Sequence, residues 1–175
     1  ERGRMEYAII LTVKRPEALK IRKAVTSTGV RAEKGGLYPH ISLAVIKSLK
    51  WDGIATAAES LAAETPPLKL KFSSIGIFPG TNNIVFLAPV VSKELLGMHG
   101  LLHGILRSRR LRSKSEYLPG EWVPHCTISR EKGLGFLRIL MRKRIFRPFH
   151  FDQIQIFRTL PSVKLISSFN LSGRE

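Results

Sequence analysis

The chain has 175 residues, 43% of them hydrophobic, and a single cysteine, Cys126. Its 29 Lys and Arg against 13 Asp and Glu leave a formal charge of +16, with a pI near 10.7. This size suits one domain or two small lobes. The lone thiol excludes an intrachain disulfide and a cysteine zinc cluster, and no apolar run approaches the roughly 20 residues that span a bilayer.

In chain order, residues 5–13, rich in Ile, Leu and Val, predict a buried strand. Pro16 opens a helix to about residue 28, since proline fits the first helical turn. Gly35-Gly36 breaks the chain before a strand over 38–46. Asp52 is the predicted N-cap of a helix to about residue 64, and Pro66-Pro67 ends it. Residues 68–78 and 84–91 predict a hairpin across Pro79-Gly80-Thr81-Asn82-Asn83. Ser92 caps a long helix to about residue 111. Pro119-Gly120 leads to a strand over 122–130, followed by a basic helix over 132–143. Residues 149–160 and 163–171 close the chain as two strands.

This order repeats: strand, helix, loop, strand and helix occupy about 5–64 and again about 84–143. The expectation is a single domain over 5–171, made of two similar α+β lobes with mostly antiparallel sheets. At matching places the two halves carry Pro39-His40-Ile41-Ser42-Leu43 and Pro124-His125-Cys126-Thr127-Ile128. Side chains alternate faces along a strand. His40 and Ser42 therefore share one face with Ile41 and Leu43 behind, and His125 and Thr127 share another with Cys126 and Ile128 behind. One histidine beside a core strand is usually structural, and a hydroxyl there usually satisfies the strand edge. Two copies set across one groove supply a base and an acid near neutral pH.

Basic residues crowd the second half, with Arg107, Arg109, Arg110, Arg112 and Lys114, then Arg138, Arg142, Lys143, Arg144 and Arg147. Solvation alone is one explanation, but such clustering more often attracts a polyanion, because neutralised phosphates release counterions. The basic helices lack an exposed aromatic face for membrane insertion. The opening Glu1-Arg2-Gly3-Arg4 carries no signal-peptide pattern, so a cytoplasmic location is expected.

The paired His-x-Ser/Thr-x motifs, about eighty residues apart, resemble the two-histidine (2H) phosphoesterase superfamily. Phe78-Pro79-Gly80, Leu101-Leu102-His103 and Trp122-Val123-Pro124-His125-Cys126-Thr127 resemble its bacterial 2′-5′ RNA ligase-like (LigT-like) branch, and the similarity runs from about residue 5 to 171. The resemblance implies an α+β, bilobal, pseudo-symmetric fold with two mostly antiparallel sheets around a positively charged central cleft and helices outside. It implies chemistry without metal or cofactor on 2′,3′-cyclic phosphate or 2′-5′ phosphodiester linkages. The expected partners are RNA ends or small nucleotides, with no membrane and a monomeric chain.

In that scheme His40 and His125 move protons while Ser42 and Thr127 bind phosphate. Ser42 departs from the threonine of many relatives but keeps the hydroxyl. Tyr38, Arg130 and Arg158 are further candidate substrate contacts. His99 and His103, four apart on one helical face, could hold zinc, but no third ligand is evident and buried structural positions are preferred. His150 is expected to be structural. Hydrolysis and the reverse joining reaction both stay open, as does a non-catalytic nucleotide- or RNA-binding module using the same cleft.

Overall fold

The structure, a computed structural model, describes residues 5–31, 39–80, 84–130 and 134–174. Strand β1 (Glu6–Val13) is followed by helix α1 (Arg15–Thr26), strand β2 (His40–Lys47) and helix α2 (Trp51–Glu64). Strand β3 (Leu68–Phe78) crosses to β4 (Ile84–Pro89), helix α3 (Lys93–Ser108), β5 (Cys126–Ser129) and α4 (Leu137–Leu140). Strands β6 (Pro148–Leu160) and β7 (Lys164–Asn170) end the chain. The succession strand–helix–strand–helix thus occurs twice.

The strands run in the order β2-β1-β6-β3-β4-β5, with β7 added to β6. All pairings are antiparallel. The order places the two motif strands at opposite ends of the path. The path curls, so that β2 and β5 nevertheless lie against each other without pairing. Strand β6 is long enough to join the halves. Its first residues, Pro148–Phe151, pair with Lys71–Leu68 of β3, while Gln153–Arg158 pair with β7 on the same edge.

Alternation divides the sheet into two faces. Tyr7, Ile9, Leu11 and Val13 of β1 join one continuous core with Ile21 of α1, Leu61 of α2 and Leu102 of α3. Ala8 and Ile10 face the other way, into a small cluster with Val45, Phe157 and Tyr117. Helices therefore cover one side and the other is left for a cleft. At roughly 25 cal/mol per Å² of apolar area, burial on the helix side is the main stabilising contribution.

Several boundaries differ from the sequence expectation. Helix α2 starts at Trp51, and Asp52 is not its N-cap but sits in the first turn, where a carboxylate still suits the helix dipole. The N-cap is Lys50, two residues earlier than expected, and Trp51 packs on Tyr7 at 5.4 Å. Helix α3 is capped by Ser92, whose Oγ accepts from the Leu95 N–H at 3.2 Å, but stops at Ser108. There Arg110 takes φ 56°, and the Arg110 and Leu111 N–H groups donate to Arg107 O and Leu106 O. This is the Schellman arrangement with arginine in place of the usual glycine.

Strand β5 has only the residues Cys126–Ser129. Pro124 lacks an N–H, and the Trp122 N–H is spent on a turn to Leu118 O. The basic helix shrinks to Leu137–Leu140 with turns after it. Arg138 and Arg142 are like charges at i, i+4, which oppose its extension.

Candidate functional site

Both motifs show the expected alternation. Ile41 and Leu43 are fully buried, as is Cys126, and Ile128 nearly so, while His40, Ser42, His125 and Thr127 are half-buried on the open face. His40 begins β2 opposite Thr12. His125 precedes β5 by one residue, outside the ladder.

Three side chains from the second half of the chain reach the first motif strand. The Trp122 indole N–H donates to Ser42 O at 3.0 Å. His103 Nε2–H donates to Leu43 O at 3.2 Å. The Cys126 thiol, wholly buried, lies against the His40 backbone, and burial pushes its pKa up to about 12. A further layer fixes the indole: His99 stacks flat on Trp122 at 3.9 Å and 4°, and its Nε2–H donates to Tyr117 O at 3.0 Å. Backbone carbonyls thus occupy the outward nitrogens of His99 and His103. Among the described residues no group of three or more His, Cys, Asp or Glu is placed to hold a metal. Burial holds the His99 pKa down to about 4, with the neighbouring His103 adding to the effect. Both rings are structural neutral imidazoles at ordinary pH.

His125 has an aromatic wall. Phe78 meets it edge-on at 4.9 Å, Phe86 lies at 5.4 Å, and the two phenyl rings stack at 4.5 Å. Gly76 lies opposite Phe86 in the β3–β4 ladder. A Cβ there would collide with the Phe86 ring, so only glycine lets that ring cross the strand toward His125. The His125 pKa is lowered, chiefly by burial and further by the charge of Arg130, against the opposing Val123 carbonyl. Its Nδ1–H donates to Val123 O at 2.7 Å, which leaves Nε2 with its lone pair free to act as a base. A cavity of about 320 Å³ opens beside it, lined by Phe78, Ile84, Glu116, Tyr117, Glu121 and Val123.

The other candidates separate. Because β5 ends at Ser129, Arg130 is released from strand alternation, and its charge acts on both His125 and Tyr117. Arg158 is a correction. It pairs with Tyr7 and so shares the helix-side face, not that of His40 and Ser42. Its guanidinium is held by Ser162 Oγ at 3.0 Å in the β6–β7 turn. Tyr38 lies outside the described residues. His150 is held by Glu17, which accepts from its backbone N–H at 2.6 Å and faces its ring at 3.3 Å.

Sequence reasoning missed a polar floor. His40, Thr12, Gln153 and Asn170 form one row across the strands, and Ser42, Ile10, Gln155 and Ser168 form the next. Gln153 Nε2 donates to Asn170 Oδ1 at 2.8 Å, and Gln155 Nε2 donates to Gln153 Oε1 at 3.2 Å. Alternating Gln and Ser within two late strands was the available signal. It also passed over the Phe78–Phe86 wall and Tyr117, which only the fold brings to His125.

Comparison with known proteins gives one family model, described as the 2′-5′ RNA ligase superfamily, matching residues 15–160. A curated Geobacillus kaustophilus protein, "Putative phosphoesterase GK0864", is 33% identical over 96 residues, covering 53% of this chain. The chain spans about half the length of that relative (51%). Among solved structures, TT0787 of Thermus thermophilus superposes with TM-score 0.71 at 16% identity, covering 98% of this chain and 100% of that one. Escherichia coli LigT complexed with 3′-AMP gives TM-score 0.65 at 13% identity, with 98% and 99% covered. Kluyveromyces marxianus Usb1 gives 0.56 at 11%, with 98% and 100% covered.

Proposed function

The chain belongs to the 2′-5′ RNA ligase superfamily of two-histidine phosphoesterases, and from that premise we propose that it cleaves 2′,3′-cyclic phosphate or 2′-5′ phosphodiester linkages by acid–base catalysis. The observation that carries the proposal is the meeting of the two motif strands. Trp122 and Cys126 of the second half touch the first motif strand at Ser42 and His40. Each side of the junction presents an imidazole beside a hydroxyl.

In the hydrolytic direction, His125 takes a proton from water as that water attacks phosphorus. His40 gives a proton to the ribose oxygen as its bond to phosphorus breaks. The lowered His125 pKa and its bare Nε2 support the base role, because the neutral ring is the form that accepts a proton. Ser42 and Thr127 donate to non-bridging oxygens, where charge accumulates. Arg130 adds a cation at the mouth. The same groups catalyse 2′-5′ joining in reverse. LigT solved with 3′-AMP, NADP+ and ATP supports a nucleotide-sized ligand.

The test is incubation with 2′,3′-cyclic nucleotides, cyclic-phosphate-ended RNA and 2′-5′ dinucleotides in EDTA. Turnover abolished by His40→Ala or His125→Ala is the expected result. Turnover that requires added metal, or that survives either substitution, sinks the proposal. Tight binding with no turnover on any substrate would instead make the cleft a recognition module.

A further inference from the structure

We propose that a trough formed by α1, α4 and the segment leading into β6 is a second binding site, for the phosphate backbone of single-stranded RNA whose end lies in the cleft. The proposal rests on the phosphodiester function above and selects RNA over free nucleotides as the substrate class. Two adjoining cavities make the trough. One, of about 440 Å³, is lined by Arg138, Arg142 and Lys143. The other, of about 450 Å³, is lined by Lys20, Lys143, Arg144 and Arg147. Lys143 belongs to both, so six cations line one continuous depression.

The site is built rather than merely charged. Arg147 is fixed over the Phe149 ring at 4.5 Å and against Glu17 at 3.8 Å. Glu17 also anchors His150, which ties α1 to the start of β6. Among the described residues, neither cavity's lining includes a carboxylate. A concave cationic trough suits a strand of phosphates, whereas a bilayer is met by convex apolar surface.

Its position suits the end of a bound strand. Thr12 lies opposite His40 and Gln153 opposite Thr12, and Phe149 at the trough is farther along β6. At roughly 4.8 Å per strand and 3.3 Å per residue, this offset along the sheet is about 16 Å, and the trough lies on the helix face, so a bound strand must also round the sheet edge. The in-plane offset alone is about five nucleotides of a stacked strand at roughly 3.4 Å each, and the path around the edge adds to it. A mononucleotide in the cleft cannot reach the trough, and only a strand longer than about five nucleotides can.

The test compares wild type with an Arg138→Gln/Arg142→Gln/Lys143→Gln variant and its Glu counterpart. Tm is checked to show that each folds. Kinetics use a cyclic-phosphate-ended RNA of a dozen nucleotides and a 2′,3′-cyclic mononucleotide. The expected result is a KM for the RNA raised at least tenfold, with mononucleotide turnover within twofold of wild type. Anisotropy of the labelled RNA, read on a His125→Ala background, should lose about two from its log–log salt slope, at roughly 0.7 per phosphate contact. Because anisotropy needs no turnover, failure of the proposed chemistry would leave this measurement interpretable. An unchanged RNA KM and salt slope overturns the site. Equal losses on both substrates also overturn it. So does loss of binding to phosphatidylserine vesicles with RNA binding intact, which would make the trough a membrane contact.

Discussion

The two motif strands carry the same histidine–hydroxyl pattern but are held in different ways. Strand β2 spans His40–Lys47 and pairs along its length with β1, which is buried throughout. Strand β5 is only Cys126–Ser129, and His125 stands just outside it. The first motif is therefore placed by a backbone ladder and its core. The second is placed largely by side chains, with Trp122 tied to Ser42, His99 stacked on Trp122, and Phe78 and Phe86 walling the ring of His125. A duplicated motif does not require duplicated support. Defects in the second half should impair chemistry before they impair folding.

The largest expected effect would show the halves equal in chemistry. His40→Ala and His125→Ala should each lower kcat by about 10²–10⁴-fold, the usual worth of positioned proton transfer, with Tm little changed. A much smaller loss in one of them would break the proposed symmetry of roles. Support can be separated next. Leu43→Ala in the ladder should cost about 2–5 kcal/mol of stability as a cavity forms, measured by urea denaturation. Trp122→Phe removes the N–H that serves Ser42 O and narrows the face on which His99 stacks. It should cost about 1–3 kcal/mol and lower kcat disproportionately, because the lost bond spans the two motifs.

The clamp that His99 and Trp122 form on Ser42 should also make stability depend on pH. His99 has its folded pKa lowered to about 4, against about 6.5 when unfolded. Above the unfolded value both states are neutral and the clamp's contribution is complete. As pH falls from 6.5 toward 4, the unfolded chain gains a proton that the folded chain refuses, so stability declines. The loss approaches about 3 kcal/mol and levels off below pH 4. Denaturation across this window checks it, and His99→Gln should flatten the slope. The lowered pKa of His125 acts on activity in turn, holding the acid limb of the rate profile below the ordinary histidine range. The smallest effect lies outside both motifs. Arg110→Gly should stabilise by about 1 kcal/mol, because glycine accepts the φ of 56° without strain.

Apolar alternation carried the long elements. β1, β2 and β6 fall within one or two residues of the sequence expectation, since each has a core face that fixes its pattern. The histidine–hydroxyl faces were legible for the same reason. Contacts formed only after folding were not legible. Arg158 shares a late strand with residues of the cleft face, yet pairing with Tyr7 puts it on the opposite one. The i, i+4 spacing of His99 and His103 showed a shared face but not the carbonyls they serve. The brevity of β5 follows from Pro124 and from a turn closed through Leu118, both overridden by the apparent strand pattern of 122–130.

Cys126 gives this junction its own clock. The chain has no other thiol, and this one is sealed where the halves meet, protonated and out of reach of solvent. An alkylating reagent can modify it only while β5 stands away from β2. The labelling rate of the native protein therefore counts those separations directly, and a ligand that grips both motifs should slow it.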